Sequence, residues 1–120
     1  MKPTRRTLIH GADRIPVYFH DDLLVIGESD TARAMRDTDS AEDAVFGCFQ
    51  PRDRYRIDIS RRSASVLACL LHEYTHLLLA KRNPGDHLSE EGVCDLFADG
   101  MDELYRRNTR LLADVAAGRA

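Results

Sequence analysis

The stretch ACLLHEYTHLLLA, residues 68–80, most narrows what this chain can become, because an apolar run carries His72, Glu73 and His76 at its centre. From Ser63 to about Arg82 the apolar spacing predicts a helix. At about 100° per residue, Val66, Leu67, Leu70, Leu71, Tyr74, Leu77 and Leu78 cover more than half of the circumference, which predicts burial on most sides. With His72 as zero, His76 falls at roughly 40° and Glu73 at roughly 100°, so the three polar groups share one strip. Imidazoles at i and i+4 are close enough to grip one ion. A carboxylate left uncompensated there costs several kcal/mol. A divalent metal compensates it directly: in H-E-x-x-H on a helix, two neutral imidazoles bind zinc and the glutamate between them reaches the activated water. The competing reading is a pair of core histidines hydrogen-bonded to backbone or carboxylates, with Glu73 paired to an arginine.

A third ligand decides between these. NPGD stops the first helix near Pro84, and Ser89 is a good N-cap for a second, with Glu90 and Glu91 in its first turn where the helix dipole favours anions. Its apolar face is Val93, Leu96, Phe97, Gly100, Met101 and Leu104, whereas Glu91 and Asp95 lie one turn apart on a separate strip. Glu90 falls on the apolar side, so Glu91 is the better candidate ligand.

At HEYTH and EGVCD the sequence resembles the gluzincin metallopeptidases, whose pattern is H-E-x-x-H followed by E-x-x-x-D on the next helix. EGVCDLFA, after a strand-rich start, looks particularly like the small ImmA/IrrE-type and phage-encoded zinc peptidases. The resemblance covers roughly residues 45–99. It implies that His72, His76 and Glu91 bind zinc, that Glu73 is the general base, and that Asp95 orients a ligand histidine. It also implies that the strand before the helix, RYRIDIS, pairs with an extended peptide substrate. The family's transition-state donor has no diagnostic spacing here; Tyr74, Tyr105 and His87 are the candidates. The metzincin pattern fails, since Leu79 stands where glycine is required and Arg82 where a third histidine is required. Fourteen residues separate His76 from Glu91, a connection that suits two adjacent antiparallel helices.

Chemistry supports those roles independently of the family. Three protein ligands leave one tetrahedral position for water, whose pKa zinc lowers to about 7. Glu73 would take its proton and pass it to the leaving amine. Asp95 would accept a ring N–H of His72 or His76 and fix the tautomer.

Elsewhere, IPVYF (15–19) and LLVIG (23–27) are short β-type runs that could pair as a hairpin. Residues 30–44 are polar and alanine-rich, a surface helix or an ordered loop. VFGCFQPRDRYRIDIS reads as a hairpin about the breaker QPRD, with Tyr55, Ile57 and Ile59 on one face and Arg54, Arg56 and Asp58 on a wet one. The basic runs MKPTRR and RRNTR read as solvated ends.

The 120 residues suffice for one core, so residues 1–120 are expected to form a single α+β domain: short antiparallel strands packed on the H-E-x-x-H helix and a following antiparallel helix, a minimal zincin-like arrangement. With 43% hydrophobic and 31% charged residues the chain belongs to the soluble globular class, and a net charge of -3 provides no field to gather nucleic acid. The absence of a signal-like or membrane-spanning run predicts a cytoplasmic protein. The expected partner is a peptide or protein substrate, with no nucleic acid and no membrane. Cys48, Cys69 and Cys94 form no C-x-x-C pair, which argues against a disulfide framework. Two other functions compete with a zinc peptidase: a structural zinc module using Cys69, His72, His76 and Cys94, and a non-catalytic regulatory binding protein built on a metallopeptidase frame.

Overall fold

The computed structural model describes residues 3–21, 47–50, 55–82 and 88–120, the backbone alone for 47–50. The first strand, β1 (Thr4–His10), turns at Gly11 and Ala12 into β2 (Asp13–His20), pairing antiparallel from Thr4 with Phe19 to His10 with Asp13. Gly11 has φ of 59°, which a β-carbon disfavours and a two-residue hairpin turn demands. β2 thus forms a hairpin with the N-terminal run, while residues 23–27, the partner predicted for 15–19, and residues 30–44 lie outside the described residues. The last three residues of MKPTRR open β1, where Thr4 and Arg5 are exposed, as a solvated run would be, and Arg6 is half-buried.

The second predicted hairpin forms between β3 (Gly47–Gln50) and β4 (Arg56–Ser60), with Gln50 opposite Arg56. β4 also pairs with β2, in parallel, so the sheet runs β1-β2-β4-β3 and is mixed, where antiparallel strands alone were expected. β2 and β3 flank β4 on its two edges, so over Ile57–Ile59 RYRIDIS has no free edge for a substrate strand, and Arg54 lies outside the described residues. On its second face the Arg56 side chain is 42% exposed, as expected of a wet face, but the Asp58 side chain is 5% exposed and accepts hydrogen bonds from Arg56 Nε at 2.9 Å and Nη2 at 2.8 Å. His20 Nε2 lies 2.8 Å from the same carboxylate, and the Arg56 guanidinium stacks 4.0 Å above the Tyr18 ring. Two cationic or polar partners relieve the cost of desolvating that carboxylate, which exposure on an open strand would have made unnecessary.

The described residues also form three helices: α1 (Val66–Lys81), α2 (Glu90–Arg107) and α3 (Thr109–Ala116). Ser65 Oγ accepts from Ala68 N–H and Ser89 Oγ from Gly92 N–H, each at 3.1 Å, so both long helices start on the side-chain caps their sequences offer. In RRNTR, Arg106, Arg107, Thr109 and Arg110 are exposed, as a solvated run would be, but Asn108 is buried and the run is a junction, followed by α3 with Leu111, Leu112 and Val115 buried. The core joins the inward residues of the sheet, Leu8, Ile15, Val17, Phe19, Ile57 and Ile59, to Leu70, Tyr74, Leu77 and Leu78 of α1 and Leu104 of α2. Each such side chain contributes about 1.5–3 kcal/mol by leaving water. The result is a small mixed α/β fold compatible with the α+β class.

Candidate metal centre

Helix α1 meets the core through Leu70, Tyr74, Leu77 and Leu78, a one-sided stripe at i, i+4, i+7 and i+8. Glu73 lies three residues after Leu70 and four before Leu77, so it flanks that stripe and its side chain is only 7% exposed. His72, one residue earlier, is turned outward and 70% exposed, which corrects the expectation of a helix buried nearly all round. His76 is half-buried.

These three side chains converge. One ligand atom from each of His72, Glu73 and His76 lies within 4.8 Å of the others, and among the described residues they are the group of this kind that could hold a metal ion. The two imidazole rings stand 5.0 Å apart between centroids at an interplanar angle of 73°. His72 Nε2 is 3.9 Å from Glu73 Oε1. Burial pushes the Glu73 carboxyl up to about 7, because the charged form has lost its water. Burial likewise lowers His76, and the neighbouring His72 lowers it further.

The other proposed ligands stand apart. Glu91 and Asp95 are exposed, one turn from each other on α2, and do not join the three-residue group. Cys69 is half-buried and Cys94 exposed, and neither belongs to the group, so a closed site with two thiolates is not assembled. Of the candidate donors, Tyr74 is fully buried on the core side, where its hydroxyl donates to the Gly100 carbonyl at 3.0 Å and lies 2.8 Å from His10 Nδ1. Tyr105 is exposed at 50%. His87 lies outside the described residues.

Two polar clusters went unseen in sequence, the one around Tyr74 and the one around Asp58. The signal for the second was present as a charge placed between Ile57 and Ile59, but its partner His20 arrives through a parallel pairing that no local pattern encodes. Compared with known protein families, curated protein sequences and solved structures, the chain matches none. The likeness to gluzincins therefore rests on HEYTH and EGVCD themselves. No helix among the described residues is long and apolar enough to cross a membrane.

Proposed function

We propose that this chain is a zinc-dependent peptidase of minimal size, and the observation that carries the reading is the convergence of two imidazoles and a desolvated carboxylate within 4.8 Å. Imidazole nitrogen and carboxylate oxygen are ordinary zinc donors, so the side chains fit the ion. In this reading His72 and His76 would hold it, with Glu91 of α2 as the third ligand and Asp95 as acceptor of the remaining ring N–H of a ligand histidine. When bound, the metal supplies Lewis acidity and lowers the pKa of a water to about 7.

The rest of the chemistry belongs to Glu73. A carboxyl held at about 7 exchanges a proton readily near neutral pH, which is what a general acid–base group needs. Glu73 takes the proton of the attacking water and returns it to the nitrogen of the leaving amine. His72 is exposed, so an extended peptide reaches this face without opening the core.

Glu73→Gln tests the assignment. Metal analysis should find the ion still bound, while hydrolysis of a fluorogenic peptide library falls by roughly 10²–10⁴-fold, the usual contribution of a general base. His72→Ala should lose both, and Glu91→Ala should weaken metal binding. Equal hydrolysis by wild type and Glu73→Gln would overturn the reading.

A further inference from the structure

On another side of α1, a cavity of about 220 Å³ opens between the end of that helix, α2 and the end of β1, and none of its lining residues belongs to the metal-ligating group. Its apolar lining is Leu78, Leu96 and Gly100. Its charges are sorted by helix: Lys81 and Arg82 come from the end of α1, whereas Asp99 and Glu103 lie one turn apart on α2. We propose that this cavity is a binding site for a small zwitterion of the α-amino-acid class, its ammonium group against Asp99 and Glu103 and its carboxylate against Lys81 and Arg82.

Charge balance selects the dipolar ligand. With their ion-pair partners counted, Lys81, Arg82 and Arg107 balance Asp13, Asp99 and Glu103, so a ligand of one sign gains at one rim and is repelled at the other, and only a molecule carrying both signs gains at each. Asp99 has no hydrogen bond or ion pair among the described residues, so its carboxylate is available, and Glu103, whose Oε1 already accepts from Gly11 N–H and Arg107 Nη1, offers Oε2. Lys81 already contacts Asp13, but an ammonium has three donors and keeps two.

The residues that build the wall add a third acceptor. Because the Tyr74 hydroxyl spends its proton on the Gly100 carbonyl, His10 Nδ1–H must donate to Tyr74 Oη, and His10 Nε2 is left as an acceptor on a residue that lines the cavity. Burial lowers the His10 pKa, in keeping with a neutral ring. Asp99, Glu103 and His10 Nε2 thus offer three acceptors on lining residues, as many as an ammonium group has N–H donors. The volume is below the roughly 300–1,000 Å³ of sites that enclose larger ligands, and the leucines favour an apolar side chain.

The test uses metal-free protein, so it is independent of peptidase activity. L-Leucine, leucine methyl ester and N-acetyl-leucine are titrated in turn while the methyl resonances of Leu78 and Leu96 and the amide of Gly100 are followed. Leucine should shift them with millimolar affinity, and the two derivatives, each lacking one charge, should bind at least tenfold more weakly. Asp99→Asn, on the exposed side of α2, should weaken leucine roughly tenfold, the effect of one charge-assisted hydrogen bond. Asp102→Asn, outside the cavity, should not. Absence of shifts with leucine, equal binding of all three compounds, or indifference to Asp99→Asn would each overturn the proposal.

Discussion

A β-carbon added at Gly100 would lie 2.5 Å from both terminal carbons of Leu78, and Leu78 is itself buried, with little freedom to retreat. The Gly100 carbonyl also receives the Tyr74 hydroxyl, so the same residue sets both the approach and the bonding of the two long helices. Alanine gains up to about 1 kcal/mol in helix propensity over glycine, but overpacking a filled interior costs about 1–3 kcal/mol. The steric cost wins, so Gly100→Ala should lower stability in a denaturant titration, and Leu78→Ala in the same chain should show favourable coupling with it. Glu73 carries a second prediction. Its folded value of about 7 exceeds the ordinary 4.5, so the folded metal-free chain holds more protons than the unfolded one between those limits. Stability from this group is full below about pH 4.5 and is lost as pH rises through 7. Glu73→Gln removes the loss, so the stability of the variant relative to wild type should climb across that window, by at most about 3 kcal/mol. A flat difference from pH 4.5 to 8 would show the carboxyl to be hydrated.

Among the elements, β1 is the one whose support is least local. Asn108, between α2 and α3, uses its side chain as a strand would: Ile9 N–H donates to Oδ1 at 2.7 Å and Nδ2 donates to the Ile9 carbonyl at 3.0 Å. This pins the outer edge of the sheet and leaves Ile9 no exposed ladder groups for another chain. Asn108→Ala should cost about 1–2 kcal/mol in chemical denaturation, since the half-buried Ile9 backbone groups lose a partner and regain water only in part. Amide exchange at Ile9 should speed up at the same time. None of this was legible in RRNTR, whose charges hid the asparagine and the apolar positions of an eight-residue helix behind it. The long helices were legible because period and caps agree at Ser65 and Ser89. β1 was not, since arginines occupy two of its seven positions and Leu8 is its one fully buried residue. At the site, spacing alone brought His72, Glu73 and His76 together, but their unequal exposure depends on which neighbour covers each side of α1, and that is set by distant strands.

For the molecule as a whole, the metal-free fold carries costs the unfolded chain does not, because Glu73 is desolvated and His76 is lowered by burial and by His72. An ion bound by the folded chain alone adds RT ln(1 + [L]/Kd), about 2.7 kcal/mol at a hundredfold excess over Kd, which for a domain of this size is several degrees of melting temperature. Imidazoles bind a metal only when neutral, so that gain should shrink as pH falls below their ordinary value of about 6.5. Zinc added to the chelator-treated protein should therefore raise the midpoint clearly near pH 8 and far less near pH 5.5, and chelator should reverse it. His76→Ala should abolish the response, whereas His20→Ala, whose imidazole is held by Asp58 and not by α1, should lose stability yet keep the same zinc-dependent increment. A zinc response that survives His76→Ala would place the ion elsewhere and remove the foundation of the peptidase reading.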